Sequence, residues 1–198
     1  MVAGYLTHRA DDLQQPGVAE ALRSLRAEGK LSAFGVSAYT PAEVDRALCV
    51  SGMGMVQVPI NAFDDSMVTS GVLTRCLAAG VAVFARSVFL QGLFFLDPDS
   101  LPPHLQPARP ALKRLRALAD QAERSVAALA LAAVRDLPGV SSIVIGVDSV
   151  EHLKANTRAA RLPTLDAGLL KEIKQLGKDL PREVLDPSQW PRTVKVTA

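Results

Sequence analysis

Short apolar runs rich in valine and isoleucine alternate along this chain with amphipathic stretches of helical period, and that alternation restricts the fold more than any other feature. The runs are Val2 to Leu6, Leu31 to Val36, Met55 to Ile60, Val81 to Ala85 and Ser142 to Val147. After the first comes a helix from Val18 to Glu28, with Val18, Leu22 and Leu25 on one stripe and Gly29 closing it. After the second, Thr40 and Pro41 open a helix as N-cap and first helical residue, with Glu43 in the first turn; it ends near Ser51 and Gly52. A helix near Ser70 to Ala79 ends at Gly80. A proline-rich segment follows the fourth run and leads into helices over Ala111 to Ala122 and Val126 to Asp136. The fifth run precedes helices over Val150 to Ala160 and Asp166 to Asp179, and residues 181–198 read as a polar, proline-marked tail.

Strands that each lead into a helix imply a parallel sheet with right-handed crossovers. The near-continuous apolar character of the runs predicts that both sheet faces are buried. Periodicity does not distinguish an open doubly wound sheet from part of a closed barrel, but no G-x-G-x-x-G follows any strand, which weighs against a Rossmann domain. With no internal repeat beyond the βα unit, a single domain over 1–198 is the simplest organisation.

Composition narrows the partners. Apolar residues make up 48% of the 198 and the net charge is +2, with basic residues scattered, so neither nucleic acid nor an anionic membrane is indicated. The beginning MVAGYLTHR lacks a cationic segment followed by an apolar one, so no signal peptide and a cytoplasmic location are expected. The longest apolar-rich stretch, Val126 to Val134, is too short to span a bilayer. Cys49 and Cys76 are expected to be buried free thiols. His8, His104 and His152 are isolated, so no metal centre is expected.

In parallel α/β folds the working residues gather at the C-terminal ends of strands. Those ends carry His8 and Arg9, Ser37, Gln57 with Asn61, Arg86 and Ser87, and Gly146 to Asp148. His8 has the chemistry of a general acid, base or electrophile, or simply of a hydrogen-bonded structural residue. Ser37 is ordinarily a turn residue. Gln57 interrupts an apolar run, and a buried amide needs a partner, either a ligand or the backbone. Arg86 requires an anionic ligand or a carboxylate. The loop from Gly146 to Ser149, followed by a helix, suits an anion, although Asp148 opposes a phosphate unless it is the helix N-cap.

Four ordered blocks make a resemblance specific. THRADDL with ALRSLRAEGKLSAFGVSAYTPAEVDRAL, then VQVPINAFD, ARSVFLQGLFFL and SIVIGVDSVEHLKANTRA span about residues 5 to 160. They resemble the aldo-keto reductase pattern of a strand ending in histidine, a strand ending GVSNF, a strand carrying the QVEYS glutamine, the AYSPLAQGLL loop and the IPGxxSxEHLxEN segment. The resemblance implies a partial (β/α)₈ (TIM) barrel of about five parallel strands with outer helices. It also implies NADP, the family default, or NAD as cofactor, and a small carbonyl substrate. His8 falls on the active-site histidine that orients the carbonyl. Ser37 falls on the serine of the pair that holds the nicotinamide amide, whose asparagine is here Ala38, and Gln57 on the glutamine of that same amide. Arg86 takes the place of an aromatic residue that stacks on the nicotinamide; a guanidinium is planar and can also stack. Ser87 and Gly92 fall on the pyrophosphate loop, and Asn156 near the adenine.

The positions around the 2′-phosphate read Gly146, Val147 and His152, with Asp148 among them. An aspartate beside the ribose suits a free 2′-hydroxyl better than a phosphate. The resemblance starts at the family's fourth strand, so an N-terminally truncated barrel is expected. The family's aspartate, tyrosine and lysine lie on its first three strands, and neither Tyr5 nor Tyr39 matches the proton-donating tyrosine. Two further readings stand beside the reductase: a non-catalytic barrel remnant that binds a nucleotide or a partner, and a different barrel enzyme using the phosphate site after the last two strands. Unpaired first and last strands imply self-association or a separately encoded N-terminal half.

Overall fold

The computed structural model describes residues 1–191. The part of the expected polar tail at 192–198 lies outside them. The chain divides into two compact units, one made of Met1–Pro59, Ser66–Arg86 and Leu137–Val144, the other of Ile60–Asp65, Ser87–Asp136 and the residues from Ile145 onward.

The first unit is a five-stranded sheet of β1 (Val2–Thr7), β2 (Leu31–Ser37), β3 (Met55–Pro59), β4 (Ala82–Arg86) and β5 (Ser142–Ile143). All four pairings are parallel, and the strands stand side by side in chain order, with no reversal of the doubly wound kind. Helices α1 (Ala10–Leu13), α2 (Val18–Ala27), α3 (Pro41–Leu48), α4 (Ser66–Thr69) and α5 (Val72–Ala78) connect the first four strands. Helix α3 starts as its residues dictate: Thr40 Oγ1 accepts from the Glu43 N–H, the Glu43 carboxylate accepts from the Thr40 N–H, and Pro41 follows. The helix expected near Ser70 to Ala79 is α5, which starts at Val72 after the N-cap Gly71 at φ +72, and the short α4 precedes it.

Register decides which side chains share a face. Phe34, Val36, Val56, Val58, Val83 and Ala85 lie on one face and are all buried. Leu6, Ser37, Met55, Gln57, Phe84 and Arg86 lie on the other and are only half-buried. The expectation of two buried faces therefore holds for one. The second face carries polar and bulky side chains that the first unit does not cover. Cys76 is buried as expected, but Cys49 is exposed, because it caps the C-terminus of α3 instead of facing the core.

The second unit is helical, with α6 (Arg109–Gln121), α7 (Val126–Arg135), α8 (Val150–Ala160), α9 (Ala167–Gln175) and α10 (Arg182–Leu185), and 3₁₀ turns at Leu90–Phe95, Pro103–Ala108 and Pro187–Gln189. Its core joins Phe63, Leu93, Phe94, Leu105, Leu112, Leu115, Leu129 and Ile173, and the Phe63 and Phe94 rings meet edge-on at 4.7 Å. Residues 182–191 are not all solvated: Val184 is buried and Trp190 donates its indole N–H to the Glu183 carbonyl at 3.0 Å. Among the described residues no helix is long and apolar enough to cross a membrane, and no cluster of potential metal ligands occurs.

Candidate cofactor site

Three of the expected site residues fall on one face of one sheet. Ser37 ends β2 and pairs in register with Gln57, which pairs in turn with Phe84; Arg86 stands two residues beyond Phe84 and ends β4. Ser37, Gln57 and Arg86 thus share the half-buried face, at or near the C-terminal ends of three adjacent strands. Neighbouring parallel strands run about 4.8 Å apart, so the Ser37 hydroxyl and the Gln57 amide form one compact set of donors and acceptors. That set complements a carboxamide, which needs an acceptor for its NH₂ and a donor for its C=O. Ala38, where the family pattern has asparagine, is fully buried, and its N–H donates to the Gln57 carbonyl at 2.9 Å. The backbone of this position ties β2 to β3 with no polar side chain.

Arg86 has an aromatic neighbour. Its guanidinium carbon lies 4.3 Å from the centroid of the Tyr39 ring. Tyr39 is two residues past the end of β2, where the sequence motifs place only a loop. The signal available in the sequence was an aromatic between a strand end and the N-cap Thr40. His8 is exposed, one residue beyond the end of β1. Asn61, grouped with Gln57 at a strand end, plays a structural role, since its Oδ1 accepts from the N–H groups of Phe63 and Asp64 at 2.9 and 3.1 Å. Asp64, itself buried, pairs with Arg182 at 2.9 Å, a link that no local motif signals.

In the second unit, Ser87 and Gly92 bound a contorted turn. Ser87 (φ +59), Leu90 (φ +46) and Gln91 (φ +52) are non-glycine residues in the left-handed region, and Gly92 follows at φ +86. Each non-glycine residue there costs on the order of 1 kcal/mol or more, so surrounding structure must hold it. Leu90, Leu93 and Phe94 are buried and anchor the turn, and the Leu90 N–H donates to the Ser87 carbonyl at 2.8 Å. Strain of this kind, concentrated after a strand end, is common where a loop must present itself to a ligand.

The segment before α8 is open. Gly146, Asp148 and His152 are exposed and Asn156 is half-buried. The N-cap of α8 is Ser149, whose hydroxyl accepts from the His152 N–H at 3.0 Å. Asp148 does not cap the helix, so its charge is not absorbed there and remains unfavourable to a phosphate at this N-terminus.

Comparison with known proteins bears on the family and the fold. The family model of the aldo/keto reductase family matches residues 4–178. An aldo-keto reductase from Bacillus halodurans, in its holo form, has a similar fold, with a TM-score of 0.72 at 21% identity over 93% of this chain and 64% of that one. A glycerol dehydrogenase from Gluconobacter oxydans is similar with a TM-score of 0.74 at 22% identity over 94% of this chain and 61% of that one. The chain therefore spans less than two thirds of the length of these solved relatives, and corresponds to part of their (β/α)₈ barrel. No curated protein matches it. With five parallel strands in chain order and a family match over 4–178, the chain belongs to the aldo/keto reductase family.

Proposed function

We propose that this chain binds a nicotinamide dinucleotide and forms the cofactor side of a reductase acting on a small carbonyl compound, or on the corresponding alcohol in reverse. The observation that carries the reading is the Ser37–Gln57 pair, in register on the half-buried face at the strand ends. When bound, the cofactor supplies the hydride. Within the first unit, Ser37 and Gln57 hold its carboxamide and Arg86 lies along its nicotinamide ring; the family pattern assigns Ser87 and Gly92 to its pyrophosphate. The same pattern assigns Gly146, Asp148, His152 and Asn156 to its adenosine end, and His8 to orienting the substrate carbonyl. NADP is the family default, but the exposed Asp148, which caps no helix, favours a free 2′-hydroxyl and hence NAD.

A second reading, binding without turnover, is favoured by the two tyrosines. Tyr5 lies on the face opposite Ser37 and Gln57, since it pairs with the buried Phe34, and Tyr39 is engaged with Arg86. Full chemistry would then require a proton donor from outside residues 1–198. Titration of the chain with NADH and NADPH, followed by nicotinamide fluorescence, tests the reading. Binding weakened about tenfold or more by Gln57→Leu supports it, since a lost hydrogen bond to a buried polar group is worth roughly 1–3 kcal/mol. Failure of both cofactors to bind at millimolar concentration sinks it.

A further inference from the structure

Tyr39 has no part in the carboxamide pair, yet its place in the fold is tightly determined. Its backbone N–H donates to the Glu43 carboxylate at 2.6 Å, and the same oxygen accepts from the Thr40 N–H at 3.0 Å. The capping box of α3 therefore fixes the backbone from which the ring projects. The ring is 43% exposed and the Arg86 guanidinium lies over it at 4.3 Å. Arg86 ends β4 and Tyr39 follows the end of β2, so the pair reaches from one strand end to another, past intervening β3, the strand that carries Gln57.

We propose that Tyr39 is a positioning residue for the nicotinamide end of the cofactor, acting by holding the guanidinium plane of Arg86 as a stacking platform. The inference rests on the cofactor reading above. A guanidinium makes hydrogen bonds through its edge and stacks through its two faces, so the platform is independent of what its N–H groups bind. An arginine side chain is otherwise long and rotamer-rich, and orienting its plane costs entropy. The Tyr39 ring takes one face at 4.3 Å and so contributes to setting the orientation of that plane before any ligand arrives. The opposite face would then stack on a planar ring whose carboxamide is held by Gln57 and Ser37, which lie on the same side of the sheet as Arg86. The chain thereby replaces one aromatic side chain by two residues, a cation and the ring that orients it.

The test compares two ligands on the full chain by titration calorimetry: NADPH, and 2′-phospho-ADP-ribose, which lacks the nicotinamide. Wild type is expected to bind NADPH more tightly. Tyr39→Leu is expected to weaken NADPH about twofold to fivefold, the range of a partly exposed cation–π contact, and to leave 2′-phospho-ADP-ribose unchanged. Tyr39→Phe keeps the ring and should restore NADPH affinity. Arg86→Lys keeps the charge without the plane and should reproduce the loss, which gives an answer even if Tyr39→Leu folds poorly. Equal weakening of both ligands would show a structural role and overturn the proposal, as would unaltered NADPH affinity in Tyr39→Leu or a failed rescue by phenylalanine. If wild type binds both ligands equally, the platform is wrong while dinucleotide binding stands; if it binds neither of them, nor NADH and ADP-ribose in the same comparison, both readings fall together.

Discussion

Gly35 shows how narrow the tolerance of the sheet is at a single position. A Cβ built there would lie 1.6 Å from the backbone oxygen of Met55, its register partner on β3. The strand itself would have to move, so Gly35→Ala should destabilise by about 3 kcal/mol or more, at the upper end of overpacking costs. Gly4 is the internal control. Its added Cβ would meet the Met55 Sδ at 2.8 Å, the far part of a flexible side chain that can turn away. Gly4→Ala should therefore cost clearly less, read as urea midpoints at unchanged slope. Asp136 gives a pH-dependent counterpart. Hydrogen bonds from the Arg135 guanidinium hold its carboxyl below the ordinary value near 3.8, against the opposing effect of burial. The same guanidinium donates to the carbonyls of Ala160 and Leu162, so the pair ties α7 to the end of α8. A depressed carboxyl stabilises the fold above its unfolded pKa, and that contribution is lost as pH falls through the folded value. Asp136→Asn should thus cost about 1–3 kcal/mol at neutral pH, and the gap from wild type in thermal melts should close below about pH 4. Neither role was legible in the sequence. The strand-end placement of Ser37 and Gln57 was, because they stand within short strand-end motifs; the partners of Gly35, Asp136 and Arg86 lie at other places in the chain and emerge only from register and packing.

Among the elements, β1 to β4 and the major helices follow the hydrophobic periods closely, and α3 begins at the residue its capping pair demands. The fifth run diverges most. Six apolar-rich positions from Ser142 to Val147 read as a strand, yet only Ser142–Ile143 pair with β4, and Val144 and Val147 are exposed. Apolar composition predicts extended backbone, but a ladder needs a partner for each residue, and β4 ends at Arg86, opposite the position after Ile143. A two-residue edge is a weak template for further pairing. The opposite edge is a stronger one. β1 has six residues, pairs only with β2 among the described residues, and borders a groove of about 790 Å³ lined by Val2, Tyr5, Val18, Leu22, Leu25 and Leu31. Val2 and Tyr5 are 54% and 51% exposed, and no proline or charge interrupts the strand. Association of the chain should therefore run through β1. In sedimentation at micromolar concentration, Val2→Lys and Tyr5→Lys should each weaken it about tenfold or more, roughly 1.4 kcal/mol, and Ile143→Lys should do less. A monomer whose β1 amides are all protected from exchange would contradict this.

On the scale of the whole chain, strand–helix alternation was enough for a parallel α/β fold, and the ordered motifs were needed to choose a barrel-type strand order over a doubly wound one. The burial of the second sheet face could not be read from either. Apolar runs look the same whether or not anything covers them, and the face that carries Gln57 and Arg86 is half-buried. That difference bears on catalysis. Reduction of a carbonyl needs a proton delivered to the developing alkoxide as hydride arrives, and a positioned general acid is typically worth about 10²–10⁴-fold. The phenol of Tyr5 belongs to the face that Phe34 shares, and the ring of Tyr39 is turned to Arg86. His8 is exposed beyond the end of β1, where water competes for any proton it carries. The chain by itself is therefore expected to bind cofactor and yet show no NAD(P)H-dependent reduction of simple aldehydes above background. The measurement is the loss of reduced-nicotinamide absorbance with time, compared among wild-type, Tyr5→Phe and Tyr39→Phe chains. Robust wild-type turnover that disappears in either phenylalanine variant would mean that one of these two hydroxyls donates the proton after all. The same turnover surviving in both and lost in His8→Ala would assign the proton to the histidine instead.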